Sequence, residues 1–192
     1  MPWTDPILVE AAQKLKDMVS DGIFMPGING MNADEQNQAW YVGRAAMVLS
    51  GPWDIVPYTT NAPEGFDLKV MRFPPLFDGV KQGTSPGGVG KNYAVPKGDN
   101  VEAAKDFLAY LLSPEVMKGY VEANRIIAPY SGPNDDTTDP LLQVFIENQK
   151  TNLVPRVLLN ADVLEALGGA IQGVLSDEIT PTEAMQEVED AR

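Results

Sequence analysis

Ala39-Trp40-Tyr41-Val42-Gly43-Arg44-Ala45-Ala46-Met47-Val48-Leu49-Ser50-Gly51-Pro52-Trp53 is the stretch on which the fold turns. Asn32 before it is a good N-cap, and Glu35 three residues later completes a capping box, so a helix is predicted from Ala33 to about Val42. Gly43 stops it. Ala45 to Leu49 is a continuous apolar run bounded by turn residues, the pattern of a strand buried on both faces. Ser50-Gly51-Pro52 turns the chain sharply and presents Trp53. That tryptophan is expected just past the carboxyl end of a strand, where open α/β sheets place their ligands.

Outward from this stretch, Asp5 caps a helix that opens with Pro6, and Ile7, Leu8, Ala11, Ala12, Leu15, Met18 and Val19 give it one apolar stripe before Gly22. Phe66 to Phe73 alternates apolar and polar with period two, as a half-buried strand does, and Pro74-Pro75 closes it. Leu76 to Gly90 is rich in Gly, Ser and Pro and reads as a loop; Tyr93 to Pro96 reads as a short strand. Asn100 caps a helix from Val101 to Leu112, and Pro114 opens another to about Ala123. Ala128 to Asp139 is a polar crossing loop, and Pro140 starts a helix. Leu153 to Val157 is extended. Asn160 caps a further helix, and Thr180 with Glu183 forms a second capping box before the last one. Strands alternating with helices predict an α/β or α+β architecture.

These features together resemble the extracellular solute-binding proteins of bacterial ABC importers, above all family 1, which binds sugars and oligosaccharides. There, too, a helix ending in an aromatic and a Gly-Arg-Ala-Ala-Met strand lead to a Gly-Pro-Trp turn. Gly87-Gly88, the Ala103-Ala104-x-x-Phe107-Leu108 helix, Ser113-Pro114-Glu115 and Thr180-Pro181-Thr182-Glu183-Ala184 follow in the family's order. The resemblance covers the C-terminal half of such a protein. It implies a periplasmic-binding-protein-like fold of type II, an α/β C-terminal lobe plus a piece of the N-terminal lobe. Residues 1–75 and 134–192 would form most of the C-terminal lobe, and 76–133 would be a hinge-linked piece of the other. The implied function is non-catalytic binding of a carbohydrate for delivery to the membrane subunits of an ABC importer, here as a fragment of the full binding protein. The implied location is periplasmic or extracellular, free or lipoprotein-anchored, with the signal upstream of Met1.

Composition narrows the alternatives. A hydrophobic content of 44% suffices for a real core. The charge of −13 argues against nucleic acid and anionic membranes, which demand a basic face. Zero cysteine removes thiol chemistry, and zero histidine removes the commonest general base and metal ligand. No cofactor and no metal is implied. A carboxylate-based hydrolase would need two acids about 5 to 10 Å apart in a cleft. The acidic runs at Asp34-Glu35, Asp135-Asp136, Asp139 and Glu187 to Asp190 read instead as solvated surface. An interaction-only domain is the other alternative.

Trp53 is the leading ligand candidate, because sugars stack their C–H faces on aromatic rings; otherwise it plugs the core beneath the turn. Gly87 and Gly88 admit close approach of backbone to a ligand, or form a flexible loop. Val89 stands where family members with a stacking aromatic carry it, which points away from a disaccharide-specific site. Arg156 offers a planar fork of donors to hydroxyls, or is a solvated arginine. Tyr58, Asn92 and Trp40 stand behind these, with Trp40 and Tyr41 read first as packing residues at a helix end. Phe107, Leu108, Leu111, Leu112, Val116 and Met117 would face an absent N-terminal sheet, so the chain is expected to self-associate or to repack that segment.

Overall fold

The computed structural model describes residues 1–79, 85–88 and 92–192. In chain order its helices are α1 (Pro6–Ser20), α2 (Ala33–Tyr41), α3 (Ile55–Asn61), α4 (Val101–Leu111), α5 (Pro114–Asn124), α6 (Gly132–Asp135), α7 (Pro140–Asn152), α8 (Ala161–Leu175) and α9 (Pro181–Asp190). Short 3-10 turns lie at Ile28–Gly30 and Pro52–Asp54. The strands β1 (Ser85–Gly87) and β2 (Leu153–Pro155) pair in parallel, Ser85 opposite Leu153 and Gly87 opposite Pro155. Among the described residues no helix is long and apolar enough to cross a membrane.

Local capping chemistry sets most helix starts. The Asp5 carboxylate accepts from the Ile7 amide at 3.1 Å. Asn32 and Glu35 satisfy each other's backbone amides at 3.0 and 2.8 Å, and Thr180 and Glu183 do the same at 3.2 and 2.8 Å. Asn160 accepts from Val163 at 2.8 Å. Asn100 differs: its backbone carbonyl receives the Ala104 amide, but its side chain caps nothing. Gly43 ends α2 with φ of 71°, and the Arg44 amide returns to the Ala39 carbonyl, a left-handed cap that glycine adopts freely.

The chain divides into two compact units. Residues 1–36 and 157–192 form the first, in which α1, α8 and α9 pack together. Its core is Ala12 from α1, Val163, Ala170 and Val174 from one stripe of α8, and Ala184, Met185 and Val188 from α9. Lys16 pairs with Asp177 at 2.6 Å, and Asn29 donates to the Gln172 carbonyl at 2.9 Å, pinning the loop after α1 to the end of α8.

Residues 37–156 form the second unit. Its core joins Ile55 of α3, Met117 and Val121 of α5, Ala128, and Leu142 and Ile146 of α7. The α5 half of the segment expected to be orphaned is therefore packed, whereas α4 buries none of its residues. Asn134 is buried and organises the 128–134 stretch, accepting from the Ala128 amide at 2.7 Å and donating to the Ala128 and Tyr130 carbonyls.

The sheet is where expectation and structure part. Ala45–Leu49 is not a buried strand: the segment is irregular, with Met47 and Leu49 exposed. Phe66–Phe73 and Tyr93–Pro96 also lack strand pairing, although burial from Leu68 to Phe73 still alternates residue by residue. A doubly buried strand needs hydrogen-bonded neighbours on its edges. The described sheet has two strands, and these segments are in neither. Conversely, Ser85-Pro86-Gly87, expected as loop, is β1. Pro86 and Pro155 are tolerated there because both strands of a two-stranded sheet are edges.

One ion pair ties the second unit's helices. Arg125, at the C-cap of α5 with φ of 52°, grips Asp139 through Nε and, at 2.8 Å, through Nη2, while its Nη1 reaches Thr59 of α3 at 3.3 Å. Asp139 also caps α7, accepting from Leu141 at 3.0 Å and Leu142 at 3.4 Å. The Arg125 hydrogen bond, helped by the two amides and opposed by desolvation, holds the Asp139 carboxyl below its ordinary range. The folded state therefore releases this proton more readily than the unfolded chain. The pair's stability is full above the ordinary aspartate value of about 3.9 and is lost as pH falls through the lower folded value. Asp139→Ala is expected to cost about 1–3 kcal/mol in urea unfolding at neutral pH, and Asp139→Asn less, since its oxygen still caps. The wild-type advantage should shrink at acid pH; an advantage independent of pH would rule the ion pair out as its source.

Candidate functional site

The second unit holds the residues singled out in the sequence. Trp53 sits on the 3-10 turn Pro52–Asp54 and is 65% exposed. It does not plug the core. Ser50 Oγ donates to the Asp54 carboxylate and closes the turn. The indole folds back over Gly51: a Cβ there would lie 2.3 Å from ring carbons, so only glycine leaves the ring in this place.

Gly87, Gly88 and Arg156 are brought together by the parallel strand pair. The Arg156 amide donates to the Gly87 carbonyl at 2.8 Å and extends the ladder one residue beyond β2. A Cβ on Gly87 would fall 1.9 Å from Leu153 Cδ1, so a side chain here would push Leu153 aside. Gly88 has φ of 146°, a conformation that side chains disfavour, and its missing Cβ would sit 3.8 Å from Arg156 Cβ. The result is bare backbone beside an exposed arginine. Val89, the position expected to weaken a disaccharide-type site, lies outside the described residues, as does Gly90 after it.

The remaining candidates serve elsewhere. Trp40 and Tyr58 are buried and stack at 5.1 Å, with Phe66 edge-on to Trp40 at 4.8 Å and Tyr41 edge-on to Tyr58 at 6.0 Å. The Tyr58 hydroxyl donates to Asn37 at 2.8 Å. Trp40 Nε1 is buried without an acceptor among the described residues, a loss of about 1–3 kcal/mol that aromatic packing must offset. These rings form an aromatic core under α2 and α3. Asn92 is exposed on an irregular segment.

A polar hollow of about 270 Å³ was missed in the sequence. Val121, Glu122, Arg125, Asp136, Thr137, Thr138, Asp139 and Leu142 line it. Asp139 is not the solvated acid expected there: its side chain is 17% exposed and held by Arg125. An aspartate directly before Pro140-Leu141-Leu142 is an N-cap signal, and that signal was available. Asp136 at the rim bonds Lys118 at 2.9 Å, which raises the lysine's pKa. Within the hollow Arg125 and Asp139 thus hold each other, and Lys118 holds Asp136. Among the described residues no three acids converge as a metal site.

A family model described as bacterial extracellular solute-binding protein matches residues 4–142. The match takes in Trp53, Gly87 and Gly88 and ends before Arg156. No curated protein matches the chain.

The glycine geometry makes a direct prediction. Gly88→Ala is expected to cost about 1–3 kcal/mol through its backbone conformation. Hydrogen exchange should show the Arg156 amide losing protection while α8 and α9 keep theirs. Unchanged protection at Arg156 would show that the strand pair does not depend on this glycine.

Proposed function

This chain belongs to the bacterial extracellular solute-binding proteins, and we propose that it binds a carbohydrate for delivery to an ABC importer without catalysing a reaction. The family places its work outside the cytoplasm, in capture of a solute for import. The carbohydrate is the finer reading, and the observation that carries it is Trp53. Tryptophan is usually well buried. Here its ring stands in solvent on a turn braced by Ser50 and Asp54, over a glycine that leaves it room. A flat apolar surface held ready in this way suits the C–H face of a sugar ring.

Hydroxyls need hydrogen-bonding partners, and the Gly87-Gly88 and Arg156 corner offers exposed backbone and a guanidinium fork. On this reading residues 1–75 and 134–192 make up most of one lobe of a type II binding protein, and 76–133 reach toward the other. The partners are then the sugar and the membrane subunits of the importer, and the protein is periplasmic or extracellular.

A tryptophan-fluorescence titration against a panel of monosaccharides and β- and α-linked disaccharides tests the reading. Trp53→Ala is expected to keep the far-UV spectrum while abolishing the sugar-induced change, with a loss of a few kcal/mol of binding by calorimetry. Arg156→Ala should weaken binding less. If no sugar binds the wild type, the carbohydrate reading falls and the interaction-only domain stands in its place; if Trp53→Ala unfolds the chain, the residue is structural.

A further inference from the structure

Asn29 is the only asparagine of the chain that precedes a glycine, and it stands with Gly30 on the 3-10 turn Ile28–Gly30. An asparagine side-chain amide can close a five-membered ring onto the backbone nitrogen of the next residue. Glycine in that next place puts no side chain in the way of closure. Both reacting groups are engaged in this fold. Asn29 Nδ2 donates to the Gln172 carbonyl at 2.9 Å and to Ser176 Oγ at 2.5 Å, at the C-terminal end of α8. The Gly30 amide donates to the Gly27 carbonyl at 3.2 Å. All of these residues belong to the first unit. We propose that Asn29–Gly30 is a deamidation site restrained by its docking on α8, and that conversion of Asn29 to a carboxylate releases the segment from that helix irreversibly.

The reaction consumes water and nothing else. With its proton taken by hydroxide, Gly30 N attacks Asn29 Cγ, and the new C–N bond closes a succinimide ring. The Cγ–Nδ2 bond breaks, and Nδ2 leaves as ammonia with a proton supplied by water. A water molecule then adds to either ring carbonyl and reopens the ring as aspartate or isoaspartate. Docking opposes the first step, because the side chain must leave Gln172 and Ser176 while Gly30 N leaves the Gly27 carbonyl. Conversion therefore proceeds from the opened segment.

The product cannot return to the same place. Gln172 offers Asn29 a carbonyl oxygen, which only accepts, and a carboxylate oxygen set opposite it has no hydrogen to donate. The end of a helix also carries partial negative charge, which disfavours an anion there. Asp177 and Glu178 directly after α8 add charge of the same sign, and Lys16 is engaged with Asp177 at 2.6 Å. Isoaspartate adds a further mismatch, since its extra backbone carbon falls inside the turn closed by Gly30 on Gly27 and by Met31 on Ile28.

The inference does not rest on the carbohydrate reading. The full chain is aged in mildly alkaline buffer, and peptide mapping by mass spectrometry follows amide-to-acid conversion at each asparagine. Asn29 should convert faster than every other asparagine. Ser176→Ala, at an exposed position, removes one of the two docking bonds and should speed conversion about fivefold, the weight of one hydrogen bond. Gly30→Ala should slow it while keeping the fold, because a Cβ there enters open space. Asn29→Asp reports the product directly: hydrogen exchange at the Gly30 and Met31 amides should quicken about tenfold while α8 and α9 keep their protection. Asn29→Ala, which loses the bonds without gaining the charge, should quicken it less. Conversion at Asn29 no faster than elsewhere, a rate unmoved by Ser176→Ala, or wild-type protection of Gly30 and Met31 in Asn29→Asp would each overturn the proposal.

Discussion

A helix satisfies its backbone amides and carbonyls from within, whereas a strand needs a neighbour to do it. That constraint shapes this chain. Each unit is held mainly by helices whose ends are closed by side chains a few residues away, and the parallel pair of β1 and β2 is the sheet of the described residues. Apolar segments that are not given a strand neighbour remain irregular and leave side chains in water, as Met47, Leu49 and Met71 show. In the second unit, where loops are long, the Arg125–Asp139 pair adds to the short β1–β2 ladder. It ties the end of α5 to the start of α7 and to Thr59 on α3, beside the Ile55, Val121 and Leu142 core.

The same constraint decides what was legible in the sequence. Asp5, Asn32 with Glu35, Asn160 and Thr180 with Glu183 announce helix starts because cap and capped amide lie within three residues. Ala45–Leu49 carries the composition of a buried strand, but composition reports a preference for burial and says nothing about whether a neighbour arrives. Ser85-Pro86-Gly87 fails in the opposite sense. Its residues favour turns, and a pairing partner about seventy positions later overrides them, a relation that no local window contains.

The candidate site divides along the same line. The turn that presents Trp53 was legible because Ser-Gly-Pro is a local signal, whereas the strand expected to end just before it did not form. The pairing of Gly87 and Gly88 with Arg156 spans the chain and emerges only through the strand register. Trp40 is the packing residue that its place at a helix end suggested, whereas Tyr58, held as a ligand candidate, is joined to it by a stacking contact across eighteen positions that no local window contains. Arg125 carried no signal of its own, since one arginine among polar residues looks like any other until Asp139 is beside it.

Exposure of Trp53 and of the α4 face raises one question, because apolar surface left in water forfeits stabilisation of roughly 1.5 to 3 kcal/mol for each large side chain. The two cases differ in how the side chain is held. Trp53 is on a turn closed by the Ser50–Asp54 hydrogen bond, with its ring laid over Gly51. Phe107 and Tyr110 project from one face of a regular helix, spaced to act together. The two exposures therefore differ in kind: one ring laid over a tight turn, and two rings spaced along a regular helix.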